Sequence, residues 1–440
     1  MNQDYRKASV QILFLFESKN LRLQSIRKRY FSDTSMKASL RFRIAALTNK
    51  ITRLRGRLDY IIEKVSNRKI KQIDIKLRNI LRVTVFETLF DKAIPEYAAV
   101  NSGVNMAKDL LSPKAAKFTN AILRRMLRLI ELESEWLRSL AQNNKWHSIP
   151  EWLLRRWTNR FSKEELQDLI TIMNQSPPIH IRFNPKIINT NQVISSLEKE
   201  KIETKAINTF EYYLLVSRGA GRILSSDLFQ NGLISIQDPA AGAVVELLDP
   251  VDGNIVSDVC AAPGTKSLLI AEKLGRDGKI FASDIDPKRV KMGLKDIKRH
   301  GLKNIHWSIQ NACNNIFNNS DKILVDVPCT GTGVMARKPD IRWRRGKKDI
   351  KQFVKLQFDI LNNVTKYLNQ GGELVYSTCS IEQEENWSVV ERFLNLNTDF
   401  TLVPASSNLP DAWVNEMGCM QTFPHLHGVD GMFAAKIKRI

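Results

Sequence analysis

The sequence has little cysteine and no long apolar segment. Its five cysteines form an odd set, without a C-x-x-C pair or a histidine at zinc-binding spacing, which argues against a disulfide framework and a structural metal. No apolar run approaches the roughly 18 residues that a membrane helix needs, and the stretch from Val10 to Phe16 is short and followed by Glu17. We therefore expect a soluble, cytoplasmic protein that binds neither metal nor membrane.

Acidic residues are scarce in the first third of the chain. The whole sequence has 67 Lys and Arg against 46 Asp and Glu, a net charge of +21. Residues 1–130 hold 28 of the basic and 10 of the acidic residues, so +18 of the net charge lies there. A solvated helix face usually mixes both signs of charge, whereas this excess has one sign. It predicts contact with a nucleic acid.

The spacing of apolar residues predicts three domains. Residues 1–145 show helical spacing throughout, and Ser112-Pro113 has the pattern of an N-cap followed by a proline at the first helical position. Residues 146–236 predict a small α+β module that either binds RNA or serves as a spacer packed against the next domain. In residues 237–440 strands alternate with helices, which predicts a parallel, doubly wound, Rossmann-like sheet. Its predicted strands are Ile255 to Val259, Ile280 to Ser283, Ile305 to Ile309, Ile323 to Val327 and Glu373 to Ser377.

A loop of small residues follows the first of these strands. Small side chains from Cys260 to Gly264 let the backbone approach a ligand at the carboxyl edge of the sheet. A phosphate-binding P-loop needs a glycine directly before Lys266 and another five residues earlier, where this chain has Ala261. The loop does not match G-x-G-x-x-G either. We therefore expect a cofactor other than a nucleoside triphosphate, a nicotinamide or a flavin.

An acidic residue, Asp284, ends the second predicted strand. At this position a carboxylate can accept hydrogen bonds from both ribose hydroxyls of an adenosine. A lone acid at a strand end is more often a helix cap, and Asp286-Pro287 does start the next predicted helix. Because Asp284 occurs together with the loop of small residues, the sequence predicts an adenosine site.

Cys329 and Cys379 directly follow the ends of the fourth and fifth predicted strands. Since these strands are neighbours in a doubly wound sheet, both thiols should face one crevice beside the cofactor. Ser380 and Gln383 have the spacing of a capping box, which predicts a helix directly after Cys379 whose N-terminal dipole favours a thiolate. Three glutamates between residues 382 and 385 oppose that effect. The remaining cysteines of the domain's second half, Cys313 and Cys419, are interpreted as inert.

Four segments carry a family resemblance: DVCAAPGTK, SDID, VDVPCTGTG and YSTCS, in this order. The ordered set resembles the RNA cytosine-5 methyltransferases of the Sun/Fmu/Nop2 class. The helical N-terminus, through residues 100–104 and 118–125, is similar to NusB-like domains, and with residues 430–436 the resemblance covers essentially the whole chain. It implies an all-α NusB-like domain, a small α+β linker module and a C-terminal class I methyltransferase domain. It also implies a cytosine of 16S rRNA as the substrate.

The resemblance implies a covalent mechanism with S-adenosylmethionine as the cofactor. Carbon 5 of cytosine is too poor a nucleophile to accept a methyl group unless a thiolate first adds at carbon 6. By resemblance Cys379 is this thiolate, Asp326 hydrogen-bonds the base edge at N3, and Cys329 assists in releasing the product. DNA cytosine methyltransferases use the Pro-Cys cysteine as the nucleophile, so the reversed assignment of the two thiols is the alternative.

The same resemblance implies the cofactor contacts. Asp284 would bind the ribose, Asn311 would bind the adenine, and Asp326 would be a further cofactor-binding residue. Asn311 replaces the family's usual acid, and Thr265 replaces its second loop glycine. The residues expected along the methionine part are Cys260, Ala261, Ala262, Pro263, Gly264, Thr265 and Lys266.

Other functions stay open at this point. The RNA could be a tRNA, or the chain could be a catalytically silent ribosome-assembly factor, although Asp326, Cys329 and Cys379 are all intact. An amino-methyltransferase would need Asp/Asn-Pro-Pro-aromatic where this chain has Asp326-Val327-Pro328-Cys329. Nothing in the sequence demands an oligomer, and we expect a monomer.

A basic run follows the Cys329 loop, from Arg337 to Arg345. It predicts a surface that holds RNA phosphates around an extruded base, with Trp343 as a stacking platform. The alternative is a solvated basic face without a partner.

Overall fold

The chain divides into two compact units in a computed structural model that describes residues 4–33, 36–133, 135–275, 277–405 and 408–440. The first unit comprises Met1–Ser176 and Met335–Arg345, and the second comprises Pro177–Val334 and Gly346–Ile440. The chain therefore leaves the second unit after Val334 and returns to it at Gly346. Domain boundaries at residues 145 and 236 stay a prediction.

The elements are numbered in chain order. The helices are α1 (Tyr5–Lys19), α2 (Leu23–Ser32), α3 (Ala38–Arg53), α4 (Arg55–Ser66), α5 (Ile75–Phe90), α6 (Glu96–Leu110), α7 (Pro113–Leu132), α8 (Trp136–Ala141), α9 (Glu151–Thr158), α10 (Lys163–Asn174), α11 (Thr190–Lys199), α12 (Asp227–Gln230), α13 (Pro239–Leu248), α14 (Thr265–Leu274), α15 (Pro287–His300), α16 (Ile341–Arg344), α17 (Lys347–Val364), α18 (Trp387–Leu396) and α19 (Pro424–His427). The strands are β1 (Ile179–Phe183), β2 (Glu203–Ala206), β3 (Tyr213–Arg218), β4 (Ile234–Ile236), β5 (Ile255–Val259), β6 (Lys279–Asp284), β7 (Ile305–Ile309), β8 (Ser320–Asp326), β9 (Leu368–Thr378), β10 (Phe400–Val403), β11 (Met420–Gln421) and β12 (Phe433–Arg439). Among the residues described, no helix combines the length and the apolarity that crossing a bilayer requires.

The first unit is helical in its described part, as its apolar spacing predicts. The predicted start of α7 is confirmed, because the Ser112 hydroxyl accepts a hydrogen bond from the Ala115 N–H at 3.2 Å and Pro113 opens the helix. The apolar faces of α4, α5 and α7 meet in one core, to which Ile61, Leu81 and Leu123 contribute fully buried side chains. Burial of these stripes, rather than helix propensity, stabilises the bundle.

A buried ionic network also joins helices α1, α4 and α5. Glu17 of α1 lies 2.9 Å from Arg55 of α4 and 2.6 and 2.8 Å from Arg78 and Arg82 of α5. Burial alone would raise the pKa of the Glu17 carboxyl, but Arg82 and Arg55 outweigh it and lower this pKa to about 2. The carboxylate thus stays charged inside the helical unit.

The basic run at residues 337–345 is largely internal to the first unit. The Arg342 guanidinium is 1% exposed and donates hydrogen bonds to the carbonyls of Arg53, Ser148 and Met173 at 2.9, 3.0 and 2.8 Å. Burial lowers the pKa of Arg342 to about 9. The indole of Trp343 donates to the Thr52 carbonyl at 2.6 Å. The prediction that Arg342 and Trp343 bind RNA is therefore wrong, since both side chains serve as packing and hydrogen-bonding partners of the helices.

The second unit begins with a four-stranded antiparallel sheet in the order β2-β3-β1-β4. Ile181 and Phe183 on one face pack against α11. On the opposite face, Arg182 donates to Glu272 of α14 at 3.2 Å, and His180 lies 3.6 Å from Asp238. That face is covered by the following domain, so it is closed to RNA. The structure favours the spacer interpretation of this module over an RNA-binding sheet.

A larger sheet follows in the order β10-β12-β9-β8-β5-β6-β7. All five predicted strands are present, as β5 to β9, and they pair in parallel. Three further strands that the sequence did not predict extend the sheet, because β12 pairs antiparallel with β9 and β10, and β11 pairs antiparallel with β12. The sheet is therefore mixed, and its parallel part brings the ends of β5, β6, β7, β8 and β9 to one edge.

Candidate active site

The two predicted thiols meet at the carboxyl edge of the sheet. β8 and β9 are parallel neighbours in which Asp326 stands opposite Ser377, so the loops that follow them start side by side. The Sγ atoms of Cys329 and Cys379 lie 3.3 Å apart, and both cysteines are reduced and partly exposed. The arrangement offers two thiols to one reacting group.

A close backbone approach supports the Cys379 loop. Gly333 donates its N–H to the Cys379 carbonyl at 3.0 Å, and its own carbonyl accepts from the Gly431 N–H at 3.0 Å. A Cβ atom on Gly333 would stand 1.9 Å from the Gly431 carbonyl oxygen. Only glycine fits at position 333, and its contact holds the segment that carries Cys379.

The surroundings of Cys329 disfavour its thiolate. The hydrogen bond to Cys379, burial, and the nearby charges of Glu385 and Asp326 all raise the pKa of Cys329 well above its ordinary value. Cys329 therefore favours its protonated form, which is able to donate a hydrogen bond to Cys379. A thiolate formed in this pair is stabilised by that hydrogen bond.

The predicted capping box after Cys379 is wrong. The Ser380 hydroxyl donates to Glu385 at 2.6 Å, residues Gln383–Glu385 form a 3₁₀ turn, and α18 begins only at Trp387. The N-terminal dipole of that helix is too far along the chain to act on Cys379, because such effects fall off within about one turn.

A partly buried ion pair lies beside the thiols instead. The Asp326 carboxylate accepts from the Lys266 ammonium at 2.8 Å and from the Ser377 hydroxyl at 3.0 Å. Burial opposes the charge on Lys266, but Asp326 and, less strongly, Cys379 outweigh it and raise the pKa of Lys266. The ammonium therefore stays charged and provides a positive field at the site, where the sequence predicts a helix dipole.

The loop of small residues has the shape of a ligand cradle. Gly264 has φ of +106°, and a Cβ there would lie 2.8 Å from the Trp307 ring. Cys260 also adopts a positive φ, +63°, which few non-glycine residues do. The Ala261 N–H donates to the Ser283 carbonyl of β6 at 2.8 Å. The loop is thus bound to the neighbouring strand directly before Asp284.

Asp284 is buried at the end of β6. Its Oδ1 accepts from the Asp286 N–H at 3.0 Å, so it does contribute to the turn before α15. Its Oδ2 lies 2.9 Å from Arg289, yet no N–H or O–H among the described residues is aligned to donate to it. Arg289 also donates to the Ala262 carbonyl. Asp284 therefore retains acceptor capacity of the kind that ribose hydroxyls need.

Sequence reasoning missed three residues here. Asp258 is fully buried on β5, accepts from the Ser267 hydroxyl at 2.5 Å, and has an Oδ1 without a hydrogen-bond partner among the residues described. Burial raises the pKa of Asp258 to about 7. Ile285 and Ile309 expose 64% and 58% of their surface beside the ends of β6 and β7. An apolar residue placed directly after an acidic strand end is a signal that could have identified Ile285 as a surface for an adenine ring.

Asn311 follows β7 and caps its own turn. Its Oδ1 accepts from the Cys313 N–H at 3.1 Å, and its N–H donates to Asn315 at 3.0 Å. An amide oxygen has two lone pairs, so a further hydrogen bond from an adenine amino group is compatible with this cap. The contact of Asn311 with adenine stays a prediction.

The first unit carries a one-signed basic stripe on α7. These side chains are exposed and recur at helical spacing, and the only acidic residue on the helix is Glu131, in its last turn. No carboxylate lies within ion-pair distance of them among the described residues. We call this set the α7 stripe: Lys114, Lys117, Arg124, Arg125 and Arg128.

Comparisons with known proteins agree with this architecture. Residues 245–438 match the family "16S rRNA methyltransferase RsmB/F", residues 3–128 the NusB family, and residues 149–220 the ferredoxin-like domain of RsmF/B-like methyltransferases. The ribosomal RNA small subunit methyltransferase B of Photorhabdus laumondii is 32% identical, over 88% of each chain. A Bacillus subtilis protein described as a probable ribosomal RNA small subunit methyltransferase B is 31% identical, over 96% of this chain and 94% of its own. The crystal structure of PH0851 is similar to this chain over 100% of both chains, with a TM-score of 0.79 and 26% sequence identity.

Proposed function

Since the chain belongs to the family of ribosomal RNA small subunit methyltransferases B, we propose that it methylates carbon 5 of a cytosine in 16S rRNA through a covalent cysteine adduct. The family depends on S-adenosylmethionine, and the chain matches its NusB-like and ferredoxin-like domains. One observation carries the proposal: Cys329 and Cys379 lie 3.3 Å apart beside the Asp326–Lys266 pair. An amino-methyltransferase has no use for a second thiol at this position.

We assign the nucleophile to Cys379. Its thiolate adds to carbon 6 of the cytosine, and the electron pair of the 5,6 double bond becomes available at carbon 5. The thiol hydrogen bond from Cys329 and the nearby Lys266 ammonium both support negative charge on this sulfur. Asp326, which is partly exposed, can hold a proton at N3 of the base, so that the ring does not accumulate charge when the sulfur adds.

Product release then requires two bonds to break. After methylation, the bond between carbon 6 and Cys379 breaks, carbon 5 loses its proton, and the electron pair of that C–H bond restores the double bond. Cys329, whose Sγ lies 3.3 Å from that of Cys379, gives its thiol proton to the departing sulfur, and the Cys329 thiolate, which burial and neighbouring charges make strongly basic, takes the proton from carbon 5. We assign it to this step.

The cofactor residues fit S-adenosylmethionine, which supplies an electrophilic methyl group when bound. Asp284 Oδ2 retains acceptor capacity for the ribose, the segment Cys260–Lys266 forms a cradle around Gly264, and Ile285 and Ile309 present apolar surface for the adenine. These residues bind and orient; none of them has to transfer a proton. Because Lys266 ends the cradle and pairs with Asp326, the loop connects the cofactor with the thiols.

We further propose that the α7 stripe contributes RNA affinity. Its five cations repeat along one helix face and lack carboxylate partners among the described residues. Such a surface binds phosphates and adds affinity without base recognition. The reducing cytoplasm suits a site that depends on two adjacent free thiols.

Transfer of tritiated methyl groups and a denaturing gel test the proposal. Wild type should label 16S rRNA in preference to tRNA, and the label should be in 5-methylcytosine. Cys329→Ala should add to the RNA but stall at release, so a denaturant-resistant protein–RNA adduct should accumulate. Cys379→Ala should form no adduct and no product, whereas Cys313→Ala, which removes a thiol outside the pair, should match wild type.

Each contrary outcome has a distinct meaning. An adduct with Cys379→Ala but none with Cys329→Ala would reverse the two thiols. Preferential labelling of tRNA would change the substrate, and binding of rRNA without any transfer would indicate an assembly factor.

A further inference from the structure

We propose that Glu385 is a positioning residue that holds the two active-site thiols at one fixed separation. The inference rests on the proposed function, because it assigns the two thiols to consecutive steps of that reaction. From the sequence alone this glutamate is only a charge that opposes a thiolate, whereas the geometry points to a different role.

The Glu385 side chain bridges the two loops that carry the thiols. It is fully buried, with 0% exposure. Its Oε1 accepts from the Thr330 N–H at 2.8 Å, and its Oε2 accepts from the Ser380 hydroxyl at 2.6 Å. Thr330 is the residue after Cys329 and Ser380 is the residue after Cys379. One carboxylate thus holds the residue that follows each of the two cysteines in the chain.

The surrounding contacts leave this carboxylate little freedom. The Thr330 hydroxyl also donates to Oε2, and the Gln357 side chain donates to Oε1 at 3.1 Å. The backbone carbonyl of Glu385 accepts from the Tyr376 hydroxyl at 2.7 Å. With four donors on its two oxygens, the group has the saturated hydrogen bonding that a buried carboxylate needs.

The next residue, Asn386, completes the clamp on the Cys379 side. Its Nδ2 donates to the Ser380 carbonyl at 2.9 Å, and its Oδ1 accepts from the Thr378 hydroxyl at 2.6 Å. The residues on both sides of Cys379 are therefore held by Asn386, while Glu385 links them to the Cys329 loop. Without Glu385, the Cys379 loop would remain anchored but its contact with the Cys329 loop would lose its shortest side-chain bridge.

A dithiol reagent measures this spacing without any RNA. Phenylarsine oxide binds two thiols at once when they are close together, with release of water. Intact-protein mass spectrometry should show one bridged adduct in wild type and none in Cys329→Ser. Glu385→Ala should bridge at least tenfold more slowly, and Glu391→Ala, which removes an exposed carboxylate from α18, should match wild type.

The conservative variant separates positioning from folding. In Glu385→Gln the side-chain oxygen can still accept from the Thr330 N–H, and the new amide N–H can donate to the Ser380 hydroxyl, whose own proton can turn to the Thr332 hydroxyl oxygen 3.1 Å away. Bridging should therefore return to within a few fold of wild type. Calorimetric binding of S-adenosylmethionine should be the same in all variants, as a check that the sheet is intact.

Turnover gives the second readout. Glu385→Ala should lower kcat by roughly 100-fold with the KM for RNA unchanged, since a misplacement of about 1 Å costs that much. Part of the enzyme should accumulate as RNA adduct, as in Cys329→Ala. Unchanged bridging in Glu385→Ala, or a kcat within twofold of wild type, would overturn the inference. Loss of bridging in Glu385→Ala while wild type forms no RNA adduct would leave the clamp intact and refute the proposed function instead.

Discussion

At the scale of single residues, Asn311 offers a direct test of the adenine contact. A neutral hydrogen bond is worth about 1 kcal/mol, whereas a charge-assisted one is worth roughly 1.5 to 3. Asn311→Asp keeps an oxygen for the Cys313 N–H and adds charge, so it should tighten S-adenosylmethionine a few-fold to tenfold. Asn311→Ala should weaken it, with kcat at saturating cofactor unchanged because ground and transition states share the contact. Isothermal titration calorimetry measures both effects.

The turn cap at Asn311 needs its own control. Asn311→Ser can still cap the turn through its hydroxyl, but its side chain is too short to reach an adenine. It should therefore bind the cofactor as weakly as the alanine variant. Equal dissociation constants for wild type and all three variants would mean that the adenine is held elsewhere.

Individual residues were predictable from sequence where chain order alone brings them together. Cys329 and Cys379 follow two parallel strands, so their encounter requires only that β8 and β9 be neighbours. The environment of Cys379 was not predictable in the same way. Ser380 has the right spacing for a capping box, but Glu385 takes its hydroxyl, and Lys266 reaches the site from a segment more than a hundred residues earlier.

At the scale of elements, the Glu17 network predicts acid sensitivity of the helical unit. The Glu17 pKa falls from 4.5 to about 2 on folding, which corresponds to about 3 kcal/mol. A depressed carboxyl pKa stabilises above the unfolded value, so this contribution should be complete above about pH 4.5 and lost as the pH falls toward 2. Hydrogen exchange of peptides from α1 and α5 over this range should show the loss.

A pair of variants checks the assignment. Glu17→Gln removes the charged partner of Arg78, while Arg55 and Arg82 keep Asp59, and it should lower protection of α1 at neutral pH by about 3 kcal/mol while flattening its dependence on acid. Asp109→Asn removes an exposed partner of Lys7 and should cost at most about 1 kcal/mol. Equal effects of the two substitutions would show that the network is not buried in solution.

Elements were predictable where periodicity is strong and pairing is local. The helices of the first unit and the five parallel strands follow from apolar spacing. The strands β10 and β12 were not foreseen, because their antiparallel partners are set by the path of the chain around the sheet. Likewise, the charge of the run around Arg342 predicts an exposed segment, because its carbonyl partners at residues 53, 148 and 173 are distant in sequence.

At the scale of the whole molecule, RNA affinity should depend on the α7 stripe through charge. Binding weakens with salt because each neutralised phosphate releases counterions, with a slope of about 0.7 to 0.9 per contact. Replacing Arg124, Arg125 and Arg128 together by alanine should therefore reduce the salt slope by roughly 2 to 3. Fluorescence anisotropy with 16S rRNA fragments at several salt concentrations measures it.

Substitution is the proper test here, and deletion of the N-terminal helices is not. Arg342 donates to carbonyls at residues 53, 148 and 173, so deletion would strip partners from a buried guanidinium. Replacing the same three arginines by lysine keeps the charge and should leave the slope as in wild type. If alanine and lysine variants both kept the wild-type slope, the stripe would be a solubility feature.

The return of residues 335–345 to the first unit has a consequence for protein synthesis. Ribosomes add about 5 to 20 residues per second, so roughly 10 to 30 s separate the emergence of Ser176 from that of Arg345. During this interval the carbonyls of Arg53, Ser148 and Met173 have been translated but still lack the Arg342 guanidinium as their donor. The N-terminal unit therefore reaches its final packing only after the small sheet and four of the eight strands of the larger sheet have been translated, so co-translational folding of this enzyme is not a simple sequence of finished domains.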